Sequence, residues 1–235
     1  IFLGLYGLIW SSWIRAAAES SAYPWRSLAY LLSGGMLLGM AVLTKGPVAG
    51  LIVGLCVVVY WVWGKFRWFL PFPQLLLYGL SASLLTLAWF GLETWKNGTW
   101  FVEEFITYQI RLFSTEDAGH GGFPGYHVVV LLIGCFPASV FALGSLFTKT
   151  PHATDSQNDF MRWMKVLFWV VLILFSIVQS KIVHYSSLCY FPLTYLAAIY
   201  LHDLLQKDRA LPRALAILLI LLASLFILAI GLLPF

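Results

Sequence analysis

The 235-residue chain has little charge: Asp, Glu, Lys and Arg together make up 10% of it, against roughly a quarter of an ordinary soluble domain. That shortage excludes a soluble globule. Cysteines are also few. Cys56, Cys135 and Cys189 each lie in an apolar run, so neither a disulfide framework nor a zinc cluster is indicated, and they read as packing residues. Internal repeats and low-complexity tracts are missing as well. What fills the chain is apolar: 61% by the AVILMFWYC count, with a mean hydropathy of +0.87, in long runs that do not alternate in polarity. Only helices and closed barrels satisfy their backbone groups in lipid, and runs without alternation exclude the barrel. The expected fold is an all-α, polytopic transmembrane helical bundle. The chain opens at Ile1 without an initiator Met, inside an apolar run (1–14) too short to span comfortably, so it is expected to be a piece of a longer protein.

Charge and Pro/Gly clusters divide the chain into that partial span and seven full or near-full spans at 27–43, 47–63, 72–92, 125–147, 162–178, 188–203 and 214–234, all in a single membrane domain over 1–235. The connecting segments then alternate sides, and their Lys/Arg content orients the protein. One set holds ten cations: Arg15, Arg26, Lys65, Arg67, Lys149, Arg162, Lys165, Lys207, Arg209 and Arg213. The other holds four: Lys45, Lys96, Arg111 and Lys181. The richer set is predicted to be cytoplasmic. The outer face then carries the longest loop, 93–124, and two short hairpins at 44–47 and 179–187. Most of the net charge of +4 is absorbed by this orientation signal, so nucleic acid is excluded as a partner.

The outer loop opens with NGTW and continues as FVEEFITYQIRLF. Phe101, Phe105 and Leu112 fall on one helical face, while Glu104, Thr107, Tyr108 and Arg111 recur at i, i+3, i+4, i+7 on another. This predicts an amphipathic helix lying at the interface, with a solvated polar stripe as the alternative use of that face. The next stretch, STEDAGHGGFPGYH, sets His120 among Gly119, Gly121 and Gly122, ahead of Pro124, at a loop tip suited to bringing an imidazole to a substrate. Glu116, Asp117, His120 and His127 lack a recognisable ligand spacing, so no metal site is assigned and no cofactor is called for. The acid pairs Glu103/Glu104 and Glu116/Asp117 read as solvated. His152 and His202 fall on the cytoplasmic side and are given no role. The polar stretch TKTPHATDSQND (148–159) reads as a plain linker.

In LTKGPV, Lys45 stands just ahead of Pro47, at the first turn of the next helix, whose N–H groups face the same space as the ammonium. That combination suits a phosphate, though a lysine snorkelling into the headgroups fits equally. In QSKIVHYSS, Lys181, His184 and Tyr185 stand at i, i+3 and i+4 and share a face if the stretch is helical; His and Tyr are also at ease at headgroup depth. Lys45, Arg111 and Lys181 are three of the four outer cations, and Lys96 is spare. Their three segments can converge on one cavity at the outer leaflet. A cationic cavity beside lipid is what a phosphate with an isoprenoid tail requires.

The order LTKGPV, then a helix ending YQIRLF, then DAGHGG…GYH leading into a span, then SKIVHYSSLCYFPL, resembles the GT-C glycosyltransferases of the dolichyl-phosphate-mannose protein mannosyltransferase and lipid A aminoarabinose transferase type. The resemblance covers roughly 38–198. It implies an inverting enzyme of the bacterial inner membrane, acting at the periplasmic face. Such an enzyme moves a sugar from a polyprenyl-phosphate carrier to a lipid, protein or glycan hydroxyl. It also implies donor-phosphate contacts at Arg111, Lys181 and Tyr185, with Lys45 in a matching motif, and it makes Glu104, Tyr108, His120 and His184 candidates for the substrate pocket. The family's catalytic Asp, in an early outer loop, matches no position here, nor does its Glu-Lys-Pro-Pro motif. The base is therefore expected upstream of Ile1, and the fragment alone is expected to be inactive. Tyr108 and Gln109 stand where many relatives have a His, and a divalent metal finds no support in this chain. The rival class is a transporter or flippase with an outer phosphate site, whose signs would be ionisable residues within spans or broken helices in paired halves. Neither pattern is found in the sequence.

Overall fold

The computed structural model describes residues 1–18, 24–114, 122–147, 154–179 and 181–232, with side chains in the fifth helix described as far as Arg111. Ten α-helices occur among them: α1 (Phe2–Ala16), α2 (Trp25–Lys45), α3 (Val48–Trp63), α4 (Phe72–Asn97), α5 (Trp100–Ser114), α6 (Tyr126–Gly134), α7 (Ala138–Phe147), α8 (Asp155–Ile177), α9 (Tyr190–Gln206) and α10 (Arg213–Gly231). A 3-10 helix, Val183–Cys189, leads into α9. The described residues contain no strand, and the fold is an all-α polytopic bundle. Two compact units divide the chain, Ile1–Asp117 and Ala118–Phe235.

Among the described residues five segments are long and apolar enough to cross a membrane: α2, α4, α8, Val183–Gln206 and α10. Their outward faces are apolar, as lipid requires. Leu84 and Leu87 on α4, and Ile220, Ile227 and Ile230 on α10, are all more than half exposed. The protein is an integral membrane protein. α3 is shorter at 16 residues, about 24 Å of helix. The apolar run expected to form one span over 125–147 is instead two helices, α6 and α7, meeting at a bend of 118°. Pro137 explains the interruption, since it has no N–H to offer and its ring crowds the preceding turn.

In the first unit α2 lies between α1 and α4, and small residues let the backbones meet. A Cβ built on Gly7 would stand 2.7 Å from Gly34 Cα, and one on Gly39 would stand 2.5 Å from Ala82 O. In lipid, where apolar burial no longer drives helices together, such close approach is a main source of association. A buried hydrogen bond joins the same helices: the Ser11 and Ser27 hydroxyls lie 2.9 Å apart, and Ser27 also donates to the Ser11 carbonyl at 2.9 Å.

In the second unit α8 is the buried member, with Trp163, Met164 and Leu167 fully enclosed. α9 packs against it, the rings of Phe160 and Tyr195 meeting edge-on at 4.9 Å. α8 begins at Asp155, so the last part of the expected linker is helix. A capping box explains the difference. Gln157 N donates to the Thr154 hydroxyl at 3.3 Å, and Thr154 N donates to Gln157 Oε1 at 3.0 Å, satisfying two amides that the helix start would leave open. Residues 148–153 of that stretch lie outside the described residues.

Candidate functional site

The hairpin between α2 and α3 is tight because of Gly46. Its backbone (φ 79°, ψ −175°) lies in a region essentially reserved for glycine. The turn leaves Lys45 exposed as the last residue of α2, where its charge complements the carbonyl end of the helix. Pro47 directly precedes α3, whose first amides have no partners within the helix. Ala49 N reaches back to Gly46 O at 3.1 Å.

α5 is anchored by its apolar face, as the periodicity predicts. Phe105 lies 5.1 Å and Phe101 6.1 Å from Phe90 of α4, centroid to centroid. The Leu112 side chain is outside the described residues. Glu104, Thr107, Tyr108 and Arg111 are all exposed on the other side. The Arg111 guanidinium carbon sits 5.4 Å from the centre of the Tyr108 ring one turn earlier, a cation–π arrangement that orients the arginine. Gln109 connects this helix to the hairpin. A Cβ on Gly46 would come within 2.6–2.7 Å of the Gln109 amide group, so Gln109 lies directly on the Gly46 backbone. The first unit thus brings together the element ending in Lys45 and the element carrying Tyr108 and Arg111.

In the second unit the 179–187 segment is not one helical face. Lys181 precedes the 3-10 helix and turns inward, 6% exposed. His184 is exposed and Tyr185 half-buried. The Tyr185 ring stacks on Phe175 of α8 at 4.9 Å and 29°, and His184 meets Tyr185 edge-on at 5.1 Å. Lys181, to which the resemblance gives a donor-phosphate contact, stands here among backbone carbonyls. Its Nζ donates to the carbonyls of Phe175 (3.2 Å), Ser176 (2.7 Å) and Val178 (2.6 Å). An ammonium has three N–H groups, and here three carbonyls take them. Burial lowers its pKa from the usual lysine range. His120, with Glu116 and Asp117, lies outside the described residues. Among the described residues no three His, Cys, Asp or Glu side chains gather as a metal site.

The chain is 30% identical over 217 residues to the undecaprenyl phosphate-alpha-4-amino-4-deoxy-L-arabinose arabinosyl transferase of Enterobacter sp. (strain 638), covering 90% of this chain and 37% of that protein. The chain is a relative of these arabinosyl transferases. The protein of the same name from Edwardsiella ictaluri (strain 93-146) is 28% identical over 209 residues, covering 85% of this chain and 37% of its own. That of Pseudomonas aeruginosa (strain UCBPP-PA14) is 30% identical over 202 residues, covering 82% and 34%. The chain therefore spans little more than a third of the length of the curated relatives it matches. No family model and no solved structure matches it. The resemblance to GT-C glycosyltransferases read from the motifs agrees with these relatives.

Four residues around the arabinosyl transferase-like motifs escape a reading of types and spacings: Gln109, Gly122, His127 and Phe175. His127 is fully buried, and neither ring nitrogen has a hydrogen-bond partner among the described residues. Its ring lies 6.2 Å from that of Phe175. The GYH motif displays the residue, but nothing in its spacing signals burial.

Proposed function

We propose that the protein is an inverting glycosyltransferase that moves a sugar from a polyprenyl-phosphate carrier to a lipid, protein or glycan hydroxyl, acting at the periplasmic face of the bacterial inner membrane. The observation that carries this reading is the kinship, at 30% identity over 90% of the chain, with proteins named as arabinosyl transferases of an undecaprenyl phosphate sugar. The first unit adds chemistry that fits. Lys45 ends a hairpin on which Gln109 lies, and α5 turns Tyr108 and Arg111 outward beside it. Arg111 and Lys45 hold the carrier phosphate in this reading, and Tyr185 keeps the donor contact that its motif implies. Glu104, Tyr108, His120 and His184 are assigned to the substrate pocket. The seven crossings and the outward orientation of the 93–124 loop belong to the same proposal, supported by the Lys/Arg balance.

The chemistry asked of these residues is electrostatic. As the bond between the anomeric carbon and the phosphate oxygen breaks, negative charge gathers on the departing polyprenyl phosphate. A guanidinium held against it contributes more in the transition state than in the ground state. No residue of this chain is assigned as the base that deprotonates the acceptor.

Replacement of Arg111 in the intact protein tests the reading. Loss of a charge-assisted contact of about 1.5–3 kcal/mol slows turnover roughly 10- to 150-fold. Arg111→Lys keeps the charge but loses the planar fork, so it recovers only part of the rate. Transfer from a radiolabelled polyprenyl-phosphate sugar is measured for wild type, Arg111→Lys and Arg111→Ala at matched folded amounts. Equal rates for all three remove Arg111 from the site, and full recovery by lysine makes it an interfacial anchor.

A further inference from the structure

α8 ends without an ordinary stop. Its last turn carries no basic residue, no glycine follows it, and Val178 continues in an extended conformation while its N–H returns to Leu174 O at 3.2 Å. The last carbonyls of a helix have no partners within it, and at the edge of a membrane an unpaired carbonyl is costly. Lys181 supplies the missing donors. Its ammonium bonds the carbonyls of Phe175, Ser176 and Val178, and a lysine has no fourth N–H.

Two further contacts show what this bonding holds in place. The Lys181 stem lies across Gly122, where a built Cβ would stand 2.9 Å from Lys181 Cγ and 3.2 Å from its Cβ. Only a residue without a side chain leaves that path open, so the 122–126 approach to α6 is shaped around the lysine. Phe175, whose carbonyl accepts from Lys181, also carries the Tyr185 ring stacked on its own. One residue of α8 is thus gripped at its backbone by Lys181 and supports Tyr185 with its side chain.

We propose that Lys181 is a positioning residue: by closing the carbonyl end of α8 it fixes the Phe175 surface on which Tyr185 lies, and so the aim of the Tyr185 hydroxyl. This rests on the reading of Tyr185 as a donor contact. Lys181 acts through Tyr185 and does not touch the phosphate. A phosphate ligand would need an N–H that the three carbonyls do not leave.

The test is a double-mutant cycle on the intact protein, with kcat and KM measured for a polyprenyl-phosphate sugar donor. Lys181→Met is expected to lower kcat roughly 10- to 100-fold, the scale of a misplaced reacting contact, with KM for the donor moving less than about threefold. In a Tyr185→Phe background the same change is expected to cost less than about threefold, because the group it positions is already gone. A phosphate ligand, or a residue needed only for folding, gives effects that multiply; multiplying effects, or a large rise in KM, overturn the proposal. Gly122→Ala leaves Lys181 present but displaces its stem, and is expected to lower kcat in the same direction even where Lys181→Met does not fold. A wild-type kcat for Gly122→Ala overturns the proposal as well. Should wild-type protein transfer no sugar, the transferase reading fails by itself. Hydrogen exchange over 175–185 then decides on Lys181: lost protection in Gly122→Ala supports the clamp, and unchanged protection refutes it.

Discussion

Gly46→Ala perturbs the hairpin and α5 together, and the structure separates the two effects. The first is backbone strain. At φ 79° and ψ −175° a residue with a Cβ is held in a region that only glycine occupies at ease, a cost of about 1–3 kcal/mol. In a chain of this size each kcal/mol lowers Tm by about 2–4 °C. The second is steric. The new Cβ would stand 2.6 Å from Gln109 Nε2, and ordinary contact begins at 3.4 Å, so the Gln109 amide must retreat by about 0.8 Å. Gln109 is flexible, and α5 stays anchored through Phe101 and Phe105 on Phe90. The strain should therefore dominate stability, while the displacement appears mainly in the aim of Arg111, two residues on. The assay is thermal unfolding in detergent with sugar transfer measured in parallel, for Gly46→Ala, Gln109→Ala and the double variant. Gly46→Ala should lower Tm and rate. Adding Gln109→Ala should leave the Tm loss in place. Gly46→Ala with the wild-type Tm would refute the assignment of strain, and full restoration of Tm by Gln109→Ala would show that the clash, not the backbone, sets the cost.

Orientation is testable with a membrane-impermeant thiol reagent: Asn97→Cys should be labelled from outside intact cells and Asp155→Cys should not, and the reverse pattern overturns the topology. Asn97 is the better position because Gly98 has φ 84° and ψ 180°, which a cysteine would strain. Thr154→Ala removes the capping box of α8 and should destabilise the protein by about 0.5–2 kcal/mol, read as a lower Tm; no change would mean that the helix start is held by something else.

The helices were legible because lipid imposes long apolar runs, and α2, α4 and α10 appear close to where hydropathy puts them. The amphipathic α5 was legible from periodicity alone, with Phe101 and Phe105 inward and Tyr108 and Arg111 outward. Hydropathy misses what depends on hydrogen-bond detail. The α8 start reads as linker by its polarity, yet Thr154 and Gln157 three residues apart make it helix. In 179–187, i, i+3, i+4 spacing groups Lys181 with His184 and Tyr185 only if the stretch is helical. Lys181 lies outside the 3-10 helix that carries His184 and Tyr185, and its ammonium turns inward to the carbonyls of α8. Residue types showed a cation near a tyrosine; they could not show which acceptor the cation would choose.

The elbow between α6 and α7 bears on more than packing. Nine and ten residues of helix are about 14 and 15 Å long, and folded through 118° they reach only about 15 Å from end to end, half of a hydrocarbon core of about 30 Å. Hydropathy counts one crossing here, and the parity of every later segment depends on that count. Were the pair to dip and return, Lys149, Arg162, Lys165, Lys207, Arg209 and Arg213 would join Lys45, Lys96 and Arg111 on one side, nine cations against five, and the richer face, taken as cytoplasmic, would be the opposite one. The orientation proposed above thus depends on the bent pair carrying the chain across, with the bilayer or neighbouring helices making up the missing depth. Cysteines at 97 and 155 together thus report whether a broken helix completes the crossing: opposite sides if it does, the same side if it does not.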